Sequence, residues 1–366
     1  MKVICTQENL HKGLGLVSNI ANRHSNLPVL NNVLIKAGKD GLVLITTDLE
    51  IGIKAFVRGK IEKEGEFTVD AKLFNNYVNY LPKENVELNL KDGGLEIKNK
   101  NQETTINGLA AEDFPLIPDV SKDGEIELSS SELKRALQEV MFAASLDGSR
   151  AEINAVNFNF EPGELVLAAT DSYRLAEKKI KIVNDKSHKL IIPLKTLQEL
   201  FRVLSDQVEQ KIKIYLNENQ IMFVFDGVEL ISRVIDGKYP DYKQIIPNEF
   251  STKAKCAVSE LAPAIKAVAL FCKQGINDIR LSFDEKDQKI IIATASSHAG
   301  HSLAKVSADI EGSGGEVVFN YKYLLDGLSN IYSNEVFIKI NNNSSPGLIQ
   351  PVNNQEHLYL VMPIRQ

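Results

Sequence analysis

Three stretches of this chain can be laid over one another. They are "GLVLITTDLEIGIKAFV" from Gly41, "ELVLAATDSYRLAEKKI" from Glu164 and "KIIIATASSHAGHSLAKV" from Lys289. Each reads as an apolar strand, a polar turn led by threonine, and an alternating strand. Thr47, Thr170 and Thr294 fall 123 and 124 positions apart. Upstream of each lies an amphipathic segment: "ENLHKGLGLVSNIA", "SELKRALQEVMFAA" and "SELAPAIKAVALFC". In the second, Leu133, Leu137, Val140 and Met141 recur at helical spacing, Ser129 with Glu132 has the form of a capping box, and Ser259 would cap the third. Downstream, "FTVDAKLFNNYVNYL", "LIIPLKTLQELFRVL" and "VVFNYKYLLDGLSNI" each predict a short strand and a second helix, with Lys72, Lys195 and Lys322 in one slot. A strand pair closes each copy, the first turning at Asp92-Gly93-Gly94.

The repeating unit is therefore about 120 residues with two helices and many strands. This predicts an α+β chain of three repeated domains, 1–122, 123–247 and 248–366, divided after "EDFPLIPDVSKDG" and "YPDYKQIIPNEF". A length of 366 residues exceeds one ordinary core and accommodates this division. The net charge of −6, taken alone, argues against nonspecific binding of nucleic acid, although it does not say where charges sit. Three cysteines, Cys5, Cys256 and Cys272, form an odd set without a C-x-x-C and read as free thiols of a reducing compartment. The start "MKVICTQENLHKG" meets Glu8 and His11 too early for a signal peptide, and no apolar run is long enough for a membrane helix. The expectation is a cytoplasmic protein with no membrane contact.

A search for catalytic chemistry returns little. No G-x-S-x-G, G-x-x-x-x-G-K, H-E-x-x-H or EF-hand loop occurs, and the Gly-rich "EGSGGE" has no Lys-Ser/Thr after it. His298 and His301 lack a third ligand nearby in sequence, so no metal and no cofactor is expected. Ser172 beside Asp171 could be imagined in a hydrolase, but its flanks read strand-turn-strand, without the strand-to-helix elbow. The turn also recurs as Thr47-Asp48-Leu49, which makes it first a structural turn whose polar side chains bond their own backbone. Tyr173-Arg174-Leu175 belongs to the middle copy alone. It joins two other unrepeated stretches, "DGKYPDYKQIIP" and the terminal "YLVMPIRQ".

Together "TDSYRLA", "DGKYPDY" and "YLVMPIR", with "NLPVLNNVLI", "TDLEIGI" and "LAAEDFP" in the first copy, resemble the bacterial DNA polymerase III β subunit, the sliding clamp family. The resemblance spans the whole chain, with motifs from every copy in order. It implies the DNA clamp fold and a head-to-tail homodimer closing into a ring of six domains. Duplex DNA would pass through the ring without sequence preference, its hole lined by helices. It also implies no active site. The implied partners are the polymerase III catalytic subunit, the clamp loader and other proteins carrying a clamp-binding motif. A ring holds DNA by topology, so a mildly positive hole suffices despite the negative total.

The resemblance assigns residues. Thr170, Tyr173, Arg174 and Leu175 would form one wall of a peptide groove, with Pro240, Ile245, Leu360 and Met362 opposite. Arg150, Ile153, Ser345, Pro346, Pro363 and Arg365 would extend it. Tyr173 stands where many relatives have His and Gln244 where some have Arg, so the preferred peptide stays open. The DNA-facing set would be Lys12, Arg23, Lys72, Lys134, Arg135, Lys195, Arg202, Lys266 and Lys322. Leu270 and Phe271 would belong to the subunit contact. Two rival readings stay open at this point. One is a hydrolase using Ser172 or Asp171. The other is a repeat-built β scaffold that binds proteins and never encircles DNA.

Overall fold

Alternation of apolar and polar residues gives the described residues more strand than helix, and the strands find their partners in antiparallel ladders. The computed structural model describes residues 1–21, 27–118, 120–205, 210–273, 275–296 and 300–365. The described residues form two compact units, Met1–Ser131 with Arg202–Val234, and Glu132–Phe201 with Ile235–Gln366.

The first unit holds a thirteen-stranded antiparallel sheet, running from Ile126–Ser129 at one edge to Gly59–Lys63 at the other. One of its two-residue hairpins joins Asn85–Lys91 to Gly94–Lys98. The two-residue loop Asp92-Gly93 has φ of 49° and 79°, the left-handed pair that matches strand twist, which is why Asp-Gly stands there. Helix α1 (Gln7–Val17) is capped by the Thr6 hydroxyl, and α2 (Ala71–Tyr80) by the Asp70 carboxylate, which accepts from the Leu73 amide at 2.7 Å. The two helices lie side by side. They bury Leu10, Leu14 and Val17 from one, and Ala71, Phe74 and Val78 from the other.

The second unit holds a nine-stranded sheet and a four-stranded sheet, both antiparallel. The nine-stranded sheet is joined across the repeats. Arg174–Lys181 of the middle copy pairs with His357–Val361 of the last, setting Leu175 opposite Leu360. The first unit has the same kind of junction, where Val228–Arg233 pairs with Ile51–Val57. The middle copy thus gives its strands to both sheets, and its helices are α3 (Ser130–Met141) and α4 (Leu194–Val203). Leu133, Leu137 and Val140 are fully buried, as their spacing requires. The last copy supplies α5 (Val258–Ala269) and α6 (Tyr321–Ser329), which pack together.

One expected cap differs. Ser259 is the second residue inside α5, and the residue before the helix is Ala257, which makes no side-chain cap. The Thr252–Ala257 strand runs directly into the helix, so its last residue holds the cap position, and alanine has no side-chain acceptor to offer there. Among the described residues no helix is long and apolar enough to cross a membrane.

Candidate functional site

The turn after Thr170 is built by its own side chains. The Thr170 hydroxyl donates to the Arg174 carbonyl at 2.6 Å and accepts from the Ser172 amide. Asp171 Oδ1 accepts from the amides of Tyr173 and Arg174 at 2.9 and 3.0 Å. The first copy repeats this. Thr47 donates to the Ile51 carbonyl and accepts from Leu49, while Asp48 Oδ1 accepts from Glu50 and Ile51. Even the strained residue recurs, with φ of 77° at Leu49 and 78° at Ser172. Thr-Asp is therefore a folding device in these copies. The third copy departs from it. Thr294 sits inside its strand opposite Ser302, and its hydroxyl donates to the Asp278 carbonyl. Ala295 follows it, so no carboxylate is present to gather amides into the turn. His298 lies outside the described residues.

Ser172 faces the wrong chemistry for a nucleophile. Its hydroxyl accepts from the Arg150 guanidinium at 3.3 Å, and a guanidinium is a donor that cannot act as the base.

The turn forms one side of a cavity of about 220 Å³ in the second unit. Arg150, Thr170, Arg174, Leu175, Pro240, Ile245, Leu360 and Met362 line it, joined by Ser172, Asp241 and Tyr242. Leu175 and Leu360 are cross-strand partners and continue below into a core with Ala168, Tyr242 and Leu348. Ile245 stands above them, 43% exposed. The short 3-10 helix Tyr242–Ile245 carries this rim. It is fastened by the Tyr242 hydroxyl on the buried Glu177 carboxylate at 2.7 Å and by the Tyr242 amide on the Pro240 carbonyl at 2.8 Å. An apolar floor with a polar rim suits one or two aliphatic or aromatic side chains of a partner, and offers no acid–base pair.

The remaining expected groove residues do not line this cavity. Ile153 is buried, while Tyr173 is 63% exposed and contributes its carbonyl, which accepts from the Met362 amide at 2.8 Å. Ser345 and Pro346 belong to the loop before the Gly347–Pro351 strand, Pro363 is half-buried and Arg365 exposed. Arg174 touches the cavity, but its guanidinium points into the protein. It binds Asp171 at 2.9 Å and Asp326 at 2.5 Å and stacks on the rings of Tyr323 and Phe142. Sequence reasoning missed Ser172, Asp241 and Tyr242 as lining residues, although Asp241 and Tyr242 stand in an unrepeated stretch that signals the groove and Ser172 directly precedes another.

The basic residues divide by what holds them. Lys72, Lys195 and Lys322 are each the second residue of their helix, α2, α4 and α6. Lys195 and Lys322 are exposed and Lys72 is half-exposed. Lys12 pairs with Asp226 at 2.9 Å. Lys134 lies over the Phe201 ring, and Arg135 pairs with Glu139 and stacks on Tyr332. Arg202 donates to the carbonyls of Gly15 and Leu16 at the end of α1, a structural tie. Lys266 occupies the last turn of α5, where the helix dipole favours a cation. Arg23 lies outside the described residues. Leu270, just past α5, is 80% exposed, and Phe271 beside it is half-buried.

The sequence matches three family models in order. They are the DNA polymerase III beta subunit N-terminal domain over 1–118, its central domain over 127–241 and its C-terminal domain over 243–365. The chain is 32% identical to the beta sliding clamp of Synechococcus elongatus, covering 100% of this chain and 99% of that one. The crystal structure of the DNA polymerase sliding clamp from Bacillus subtilis superposes with a TM-score of 0.96 at 29% identity, over 100% of this chain and 99% of that one. A sliding clamp from Pseudomonas aeruginosa bound to griselimycin gives 0.95 at 27% identity, over 100% of both chains.

Proposed function

Because this chain belongs to the DNA polymerase III beta subunit family from end to end, we propose that it works as a sliding clamp. Two copies close head to tail around duplex DNA and tether the replicative polymerase without catalysing a reaction. The chain carries three domains of the DNA clamp fold. We draw their limits at 1–122, 123–247 and 248–366, and place the protein in the cytoplasm. The observation that carries the tethering role is the apolar cavity walled by Leu175, Ile245, Leu360 and Met362. Short segments of the polymerase catalytic subunit, the clamp loader and other partners bury an aliphatic or aromatic anchor there. Aliphatic and thioether walls repack around different anchors, which suits one site serving many partners.

The DNA-facing surface is read from a helix anomaly. A lysine at the second position sits at the positive end of the helix dipole, which disfavours it. Three helices in register carry one all the same, at Lys72, Lys195 and Lys322. Contact with phosphate supplies the reason that helix stability does not. A few weak phosphate contacts per chain leave the ring free to slide.

Leu270 and Phe271 form one half of the subunit contact. An ordinary core role does not fit a leucine that is 80% exposed. Gly300–Ser307, against which α5 packs, is an open edge of its sheet and exposes Leu303. In the first domain, α2 offers a matching apolar stripe of Leu73, Tyr77 and Tyr80, with Tyr80 82% exposed. The test is topological. Protein loaded on nicked circular duplex should co-elute with the DNA and be released when the circle is cut. Failure to stay with the circle would return the scaffold reading, and retention on the linear product would rule out a topological hold.

A further inference from the structure

Strand Ala155–Glu161 reads A-V-N-F-N-F-E, with Phe158 and Phe160 fully buried on one face and Asn157 and Asn159 on the other. A solvent-facing row would explain asparagine, yet these two are only 9% and 5% exposed. They are covered because the Gly237–Lys243 segment crosses this face, enclosing a second cavity of about 370 Å³. Asn157, Asn159 and Ile191 lie among its lining residues, with Lys189, Lys238 and Lys243. Asn159 and Lys189 are cross-strand partners.

Two features mark this as a ligand site. First, the lining holds three lysines against one acid, Asp241, in a chain whose net charge is −6. Among the described residues none of the three ammonium groups has an ion-pair partner. The single acid is already engaged, by the Gln244 amide at 2.7 Å. Second, Asn159 donates through Nδ2 to Glu161, but its buried Oδ1 has no partner. Buried acceptors are seldom left unpaired without a reason. The cavity therefore asks for a negative charge and for an N–H donor close to it.

We propose that this cavity receives an acidic residue flanking the apolar anchor of a partner segment, its carboxylate among Lys189, Lys238 and Lys243 and a backbone N–H on Asn159 Oδ1. This rests on reading the neighbouring apolar cavity as the anchor site. The two cavities share a wall, Pro240-Asp241-Tyr242, so one linear segment reaches both. A peptide supplies the carboxylate and the amide donor within one residue. The site adds specificity through charge to an anchor pocket that is itself permissive.

The probes are three synthetic peptides with the same Leu-Phe anchor: one with two aspartates before it, one with two after it, and one with serines at both places. Fluorescence anisotropy at low salt measures their binding to the intact protein and to its Lys189→Ala/Lys238→Ala/Lys243→Ala variant. All three lysines are exposed, so the variant should fold. One acidic peptide should bind the unmodified protein about three- to tenfold more tightly than the serine peptide. The gain should vanish in the variant and fade with salt, while the serine peptide binds both proteins equally. No gain from either flank, or a gain retained in the variant, would overturn the inference and leave the anchor site standing. If no peptide binds the unmodified protein, the anchor site falls and this inference with it.

Discussion

The Tyr242 hydroxyl donates to a Glu177 carboxylate oxygen at 2.7 Å, and both residues are buried. This bond fastens the rim of the apolar cavity to the sheet that forms its floor. Tyr242→Phe removes the donor and leaves a buried carboxylate unpaired, at a cost of about 1–3 kcal/mol. The expected result is a lower melting temperature with weaker peptide binding. Unchanged binding would mean that Ile245 is held in place by other contacts.

The subunit contact gives a separable outcome. Leu270 is exposed and Phe271 half-buried, so Leu270→Ala/Phe271→Ala opens no deep cavity in a chain taken alone. Central apolar anchors of an interface typically cost about 2 kcal/mol or more each on truncation. The double variant should sediment as a folded monomer with an unchanged circular dichroism spectrum. A dimer of normal mass, or loss of secondary structure, would count against the assignment.

Charge reversal at Lys72, Lys195 and Lys322 should weaken DNA retention without harming the fold. Each substitution to Glu puts an acid in the first turn of its helix, where the dipole favours it by about 0.3–1 kcal/mol. The triple variant should melt no lower than the unmodified protein and should bind peptide normally, yet be lost from circular DNA at low salt. Normal retention would reduce these lysines to solvated surface.

Much of this was legible in the chain. The Thr-Asp turn is local, since its bonds join residues no more than four apart, and so it could be read at both Thr47 and Thr170. Helices α2, α4 and α6 announced themselves by period, as did the Asp-Gly hairpin. What escaped reading is partner choice at long range. Leu175 meets Leu360 and Val228 meets Ala55, and no period within one copy encodes a ladder between copies. Long cationic side chains escaped for a related reason. Arg174 read as a groove wall and Arg202 as a DNA-facing charge, yet each is drawn onto carboxylates or carbonyls that only the fold brings within reach. Tyr242 stands in an unrepeated stretch, but its role is not legible there, because its partner Glu177 lies 65 positions away.

Acid should destabilise the second unit through His357. Its side chain is fully buried opposite Lys178, and neither ring nitrogen has a hydrogen-bond partner among the described residues. Burial, aided by the Lys178 and Arg135 charges and only partly offset by the Glu139 backbone, pushes its pKa down to about 4. Glu139 lies beside Lys178, with 3.3 Å between carboxylate and ammonium. Because the folded pKa is the lower, the unfolded chain takes up the proton first. The stability is fully present above about pH 6.5 and is lost as pH falls toward 4, by about 3 kcal/mol across that window. Denaturant midpoints measured from pH 7 to 4 should fall less steeply in His357→Gln, whatever its stability at pH 7. Equal slopes would assign the acid sensitivity to the carboxylates.

Removing the last five residues tests whether the chain's end is a binding wall or a structural strand. The His357–Val361 strand pairs on both sides, with Arg174–Lys181 and Gly347–Pro351, and ends before Met362. Truncation after Val361 therefore leaves the ladder whole. It removes two backbone bonds, Met362 amide to Tyr173 carbonyl and Ile364 amide to Val318 carbonyl, both 2.8 Å. It also removes the Met362 side chain from the cavity, while Leu175, Ile245 and Leu360 stay. Two peripheral hydrogen bonds are worth about 1–3 kcal/mol together, so the melting temperature should fall by only a few degrees. An anchored peptide draws most of its binding energy from one desolvated pocket, so a missing wall should cost about 2 kcal/mol or more, at least tenfold in affinity. The truncated protein should still dimerise and still be trapped on circular DNA, because neither Leu270 nor any of the three register lysines is touched. A large drop in melting temperature alongside lost binding would make the segment structural, whereas normal binding would move the anchor away from Met362.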